Sequence, residues 1–341
     1  MNRAKPRSTL VVLFTLLLLA LVAGVTLGPV RIPLRTSLLV LVEGFSGLKV
    51  SGASSSVQKI VYDLRLPRVL SGLLVGGSLA ISGTVMQGIF RNPLATPYIL
   101  GIASGGSAGA ASVVILGFES YYALPLGALI GALTAVSIVY RISWSRGSTS
   151  SYTLILAGVA LSSLFSALTT ALIFVAEPYQ QHRVLFWMMG GLWRSSWTLL
   201  KVLLPVVTFG GGLIWVWGRD LNALALGEDA AAHLGVKPET VKKTLLALAT
   251  VITAVAVSVA GSIGFVGLVV PHVMRMILGP DHRTLLPAAA LAGGVFLIYT
   301  DLMARTVIQP AEMPVGVITA FFGAPFFIYL LRRRIKGGKM R

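Results

Sequence analysis

The sequence predicts an all-α polytopic membrane protein with about ten transmembrane helices, and three observations carry that prediction. Of its 341 residues, 55% are hydrophobic and only 11% are charged, against roughly 25% charged in an ordinary soluble domain. Apolar stretches recur along the whole chain, and a bilayer core about 30 Å thick needs roughly 20 mainly apolar residues per crossing helix. No linker rich in Pro, Ser or charge divides the chain, so residues 1–341 read as one transmembrane domain.

The first span, 9–28, follows Arg3, Lys5 and Arg7; it outruns a signal-peptide core and shows no small-x-small cleavage site, which predicts a retained helix with a cytoplasmic N-terminus. Residues 29–63, outside, are too many for a simple turn. The second span, 64–86, enters through "LRLPR", two fixed positive charges around a proline, before turning apolar. The third, fourth and fifth spans, 98–116, 121–142 and 152–176, are apolar over a bilayer's thickness. An outside segment, 177–197, contains "QHRVLFWMMGGLWRSSW", whose tryptophans suit an interfacial or partly inserted helix. The sixth span, 198–217, precedes an inside loop, 218–242. The seventh, 243–262, meets a short eighth, 263–279; 284–304 and 312–331 complete the set. Ten spans return the tail "LRRRIKGGKMR" to the side of the N-terminus.

Charge supports this topology. Eighteen of the 28 Lys and Arg fall in segments assigned inside, among them Arg91, Arg141, Arg146, Arg275 and Arg283, and ten fall outside. Anionic lipid headgroups account for the net charge of +17 without any nucleic acid. Between helices in lipid, association depends on small residues that admit close backbone contact. Gly72 and Gly76; Gly101, Gly105 and Gly109; and Gly127 and Gly131 sit four apart, and "GSIGFVG" sets Gly261, Gly264 and Gly267 three apart. This spacing reads as tight packing before it reads as a moving gate.

Several chemistries are missing. Zero cysteines exclude disulfides, thiolate metal sites and a cysteine nucleophile. No G-x-x-x-x-G-K-[ST] phosphate loop occurs, since "GIASGGSAGAAS" lacks the lysine and lies in an apolar span, so this chain is not expected to hydrolyse ATP by itself. No H-E-x-x-H occurs, and His182, His233, His272 and His282 are scattered; no metal or other cofactor is expected. No carboxylate is clearly mid-span, as ion coupling in a secondary transporter would require. Asp301 and Glu312 lie near span ends, and Asp301 is four residues from Arg305, a pairing distance on a helix. The inside loop "GRDLNALALGEDAAAHLGVKPETVKK" is more specific. Glu228 and Asp229 suit a helix N-terminus after Gly227, Gly235 is a natural stop, and Pro238 and Glu239 start another helix. An interfacial helix lying on lipid would favour a Lys/Arg-rich polar face; the acidic one here favours a protein partner.

"LRLPRVLSGLLVGGSLAISGTVMQGIFRNPLATPYILGI", "LNALALGEDAAAHLGV", "GSIGFVGLVVPHVMRMILGPDHRTLLP" and "EMPVGVITAFFGAPFFIYLL" occur in order, and the chain over about residues 10–332 resembles the FecCD family of ABC importer permeases. The resemblance implies a type II ABC importer permease architecture and a cargo that is an iron–siderophore complex or haem, with cobalamin as the alternative. It implies, as partners, cytoplasmic ABC ATPase subunits, an extracytoplasmic substrate-binding protein and a second permease subunit, here as a homodimer in the inner (cytoplasmic) membrane. Gly227, Glu228, Asp229, Ala230, His233, Leu234 and Gly235 match the family's coupling helices, which seat in a groove of the ATPase. Arg65, Arg68 and Arg305 match arginines that face acidic residues of the binding protein at the outer mouth. The alternative for them is lipid-interface snorkelling by Arg65 and Arg68, with Arg305 only pairing with Asp301. "GSLAISGTVMQG" and "SYTLILAGVALSS" match pathway helices, with a cytoplasmic gate near Asn92, Leu94 and Ser151, although Ser151 and Tyr152 depart from the family's usual polar pair. The rival classes are a secondary transporter or channel without an ATPase, and an intramembrane enzyme, for which no catalytic constellation can be assembled.

Overall fold

Every apolar stretch of near-span length becomes a helix in the computed structural model, which describes residues 6–47, 51–145 and 148–336. Arg3, Lys5, Arg146 and the tail beyond residue 336, counted above as inside charges, lie outside the described residues. In order, the helices are α1 (Pro6–Thr26), α2 (Leu34–Ser46), α3 (Ser55–Gln58), α4 (Leu66–Ile89), α5 (Ile102–Ile115), α6 (Ala123–Ser143), α7 (Ser151–Val175), α8 (Pro178–Met188), α9 (Trp197–Val216), α10 (Gly218–Leu226), α11 (Glu228–His233), α12 (Pro238–Ala260), α13 (Val266–Leu278), α14 (His282–Thr306) and α15 (Val315–Lys336). Seven have the length and apolarity to cross a membrane: α1, α4 with its leading turns, α6, α7, α9, α12 and α14. Three shorter apolar helices, α5, α13 and α15, bring the crossings to the ten expected. The chain is a multi-pass membrane protein.

The most buried helix is α4, where residues 75–90 are all buried against α9, α12, α13 and α14. Its residues are small because the neighbours come that close: a Cβ on Gly76 would stand 2.2 Å from the carbonyl oxygen of Gly293 on α14. The α5–α6 pair repeats the device, and a Cβ on Gly109 would lie 2.0 Å from the Gly127 oxygen. The four-residue glycine spacings are therefore packing surfaces, as dispersion-driven association in lipid requires.

The two long connecting stretches contain helices. Among the described residues of 29–63 are α2, which stops at Gly47 in the left-handed region, and α3. A π-helical stretch, Lys59–Arg65, joins α3 to α4. Proline at 67 has no N–H, and its ring clashes with the carbonyl four residues back, so the incoming turn widens and the Leu66 N–H reaches the Val61 oxygen. In the other stretch, α8 starts with a capping box between Glu177 and Gln180. It buries Trp187 and sets Phe186 against Trp193 in a tilted pair with ring centroids 4.4 Å apart. On the opposite side, Trp144–Ser145 and Ser148–Thr149 pair as a short antiparallel ladder between α6 and α7.

Candidate functional site

The C-terminal ends of α1 and α14 meet the N-terminal end of α4, and the three predicted arginines meet with them. The widened turn ahead of Pro67 aims Arg65 at the C-terminus of α1. There its Nη1 donates to the carbonyls of Val25 (3.1 Å) and Thr26 (2.8 Å), and its Nη2 to that of Val30. Orphan carbonyls at a helix C-terminus favour a cation. Arg305 Nη2 reaches the Gly24 carbonyl at 3.2 Å, and its Nε pairs with Asp301 at 3.0 Å. Arg68 completes the cluster, with Nε 2.9 Å from Asp301 and Nη1 2.8 Å from Glu312. Asp301, 1% exposed, is thus a buried carboxylate held between two guanidinium groups.

This geometry corrects one expectation. Arg65 and Arg305 do not stand free at a surface: they are 5% and 3% exposed, carbonyls of the same chain hold Arg65, and Arg305 divides its donors between the Gly24 carbonyl and Asp301. Nor do they snorkel. Arg68 is the member whose second partner, Glu312, is partly solvent-exposed. The sequence indicated the Asp301–Arg305 pair through its spacing, but not that Arg68 closes on the same carboxylate from 233 residues away.

At the opposite end of the bundle the predicted loop is a three-part device. Helix α10 stops at Gly227, α11 starts with Glu228 and Asp229 in its first turn, and Gly235 ends it with φ +81°. The Val236 N–H returns to the Ala231 oxygen and the Gly235 N–H to that of Ala232, the double bond of a Schellman stop. Leu226 and Leu234, 69% and 65% exposed, project beside exposed Asp229 and His233, while Ala230 is half-buried. A short acidic knob with apolar tips suits a protein groove better than a headgroup layer. Asn222 anchors α10 to the start of α14, donating to Asp281 at 2.7 Å and accepting from the His282 N–H at 2.8 Å.

Lys242 was not anticipated. It is 1% exposed, and its ammonium reaches Glu228 on α11 (3.0 Å), Glu239 on α12 (3.0 Å) and the Thr149 carbonyl on the ladder before α7 (2.8 Å). Thr149 Oγ1 also donates to Glu239 at 2.6 Å. One signal was available: Lys242 falls in the stripe Val241, Leu245, Leu246, Ala249, where helical periodicity places core residues.

The gate positions lie at the same end. Asn92 caps the turn after α4, accepting from the Leu94 N–H at 2.9 Å, and Leu94 is exposed. Ser151 is the first residue of α7 and is half-buried. The two assigned pathway segments differ, which corrects a second expectation. Residues 77–88 of α4 are buried within one chain, with only Gly77 and Ile81 bordering a side cavity against α9 and α14, whereas α7 is the least buried of the seven spans. Small and hydroxyl residues in a helix look alike in sequence whether they admit a neighbour's backbone or face a lumen.

Known proteins give the cluster and the knob their context. The FecCD transport family model matches residues 16–333. The cobalamin import system permease protein BtuC of Halobacterium salinarum is 46% identical over 283 residues, covering 83% of this chain and 76% of that protein. The hemin transport system permease protein HmuU of Yersinia pestis is 37% identical over 343 residues, covering 98% of each. A solved metal-chelate type ABC transporter in an inward-facing conformation superposes with a TM-score of 0.83 at 32% identity, covering 96% of this chain and 99% of its own. The matched span runs from the middle of α1 into α15 and takes in the arginine cluster and the knob, and the chain belongs to the FecCD transport family.

Proposed function

We propose that this permease is the membrane subunit of an ATP-binding-cassette importer for a metal chelate, an iron–siderophore complex or haem, delivered by an extracytoplasmic binding protein. The observation that carries the cargo class is the match to HmuU and to the metal-chelate transporter over nearly the whole chain. Cobalamin is the second reading, favoured by the 46% identity to BtuC. ATP hydrolysis belongs to a separate cytoplasmic ATPase, which receives Gly227, Glu228, Asp229, Ala230, His233, Leu234 and Gly235. The exposed tips of Leu226 and Leu234 support that seat. Two copies pair in the inner membrane with their termini cytoplasmic, and Asn92, Leu94 and Ser151 border the gate.

The binding protein docks on the outer arginine cluster. Arg65 and Arg305 set its geometry, and Arg68 exchanges the partly exposed Glu312 for an acid of the partner. Arginine suits such an exchange because its planar fork serves two carboxylates at once.

The test is purification with the neighbouring ATPase and reconstitution into liposomes with the binding protein, assaying uptake of hemin and of cyanocobalamin. ATP-dependent uptake of hemin is expected. Hydrolysis by the isolated chain, or uptake driven by an ion gradient without ATP, would overturn the proposal.

A further inference from the structure

We infer that Lys242 is the positioning residue that carries displacement of the cytoplasmic knob to the start of α7. The inference rests on the importer reading above and adds to it the physical link between knob and gate. An ammonium group has three N–H donors and no acceptor. Lys242 has three partners, and they come from three separate pieces of chain: Glu228 opens α11, Glu239 lies one turn back on α12, and Thr149 ends the ladder two residues before Ser151. A lysine this deeply buried cannot trade a lost partner for water. If α11 moves and Lys242 stays, a buried cation loses a carboxylate. If Lys242 follows, the Thr149 carbonyl is drawn with it.

The second hydrogen bond at this point makes the link two-sided. Thr149 donates through Oγ1 to Glu239 while its carbonyl accepts from Lys242, so the ladder is held to the first turn of α12 by a closed ring of contacts. Covalent continuity then transfers any shift of Thr149 to Ser150 and Ser151, where α7 begins. Glu228 is the entry to this relay, since its side chain is about half exposed. Rigid groups with two discrete arrangements transmit motion, whereas a flexible loop between α6 and α7 would absorb it.

The chain has no cysteine, so paired spin labels report on one distance at will. Labels at Lys237→Cys and Tyr152→Cys, in the complex with its ATPase in nanodiscs, are compared without nucleotide and after trapping with ATP and orthovanadate. In the otherwise unaltered chain the two labels move together, and the Tyr152 label also shifts relative to a third position, Val202→Cys on α9. With Lys242→Met the Tyr152–Val202 distance stops responding to nucleotide and transport per ATP falls at least fivefold, while Lys242→Arg restores both. A nucleotide response of wild-type size in Lys242→Met overturns the inference. Should Lys242→Met fail to insert, Glu228→Gln replaces it, and an unchanged Tyr152–Val202 response there overturns the inference equally. Failure of the unaltered chain to copurify with an ATPase sinks the importer reading instead, so the two failures are distinguishable.

Discussion

At the scale of single residues, Asp301 carries the arginine cluster. It is the one fully buried acid there, it balances two guanidinium groups, and the third, Arg65, is satisfied by carbonyls alone. Removing one partner of a buried ion pair strands the other and costs roughly 3–5 kcal/mol, whereas an exposed pair contributes about 0–1 kcal/mol. Asp301→Asn is therefore expected to destabilise the protein by roughly 3–5 kcal/mol, measured by chemical or thermal unfolding in detergent. Arg68→Lys tests docking instead, since it keeps a cation beside Asp301 but loses the planar fork that serves two carboxylates at once. If a binding-protein acid pairs with Arg68, this variant weakens docking severalfold while the subunit still assembles with its ATPase. Arg65→Glu and Arg305→Glu are poor docking probes, because each would bury a carboxylate against the carbonyls at the end of α1. Wild-type unfolding of Asp301→Asn would show that the cluster holds nothing together.

At the scale of elements, Gly235 separates backbone geometry from packing. Its φ of +81° is left-handed, and a Cβ added there meets nothing within 4 Å, so any effect of substitution comes from the backbone alone. A left-handed conformation costs an ordinary L-residue roughly 1–2 kcal/mol, more when β-branched, while asparagine tolerates it. Gly235→Val is expected to tilt α11 and lower transport per ATP, and Gly235→Asn to stay near wild type; equal coupling ratios in vesicles for the two variants would contradict this. The Gly227 and Gly235 punctuation around α11 was legible in the sequence because glycine, acid and proline signals act locally. Helix α10 was not, being only nine residues of mixed polarity between a span and a turn. The ten crossings were legible because each satisfies its own backbone hydrogen bonds and reads as an independent apolar run. Lys242 and Arg68 were illegible as partners because their carboxylates come from other elements, and no periodicity marks a contact between helices distant in sequence.

At the scale of the whole molecule, α7 is the surface on which the proposed second copy of the subunit would pack. The helix is the least buried span, and its open face carries Ala160, Ser163, Ala167, Thr170 and Ala171 in a small-residue stripe. The hydroxyls of Ser163 and Thr170 return to carbonyls four residues back, at 3.1 and 3.0 Å, which reduces but does not remove the cost of placing them in hydrocarbon. Lipid gains little from such a face, whereas a second copy related by a two-fold axis would bring the two stripes together across a path of small and weakly polar side chains. Leu156, Leu164, Leu168 and Phe174 flank the α7 stripe and are exposed as well, so the small residues form a seam between large apolar ones, whereas the exposed face of α9 is mostly large and apolar, with Val202, Leu213 and Val216. The expected outcome is that a single cysteine at Ala167 is joined to its counterpart by a short bismaleimide linker in native membranes, giving a covalent dimer on a denaturing gel. A single cysteine at Val202 should give none. Adding ATP and orthovanadate should change the Ala167 yield, because the distance between the stripes is what a gate at this seam would alter. Efficient linkage through Val202 with none through Ala167 would move the subunit interface to α9 and leave the stripe on α7 facing lipid.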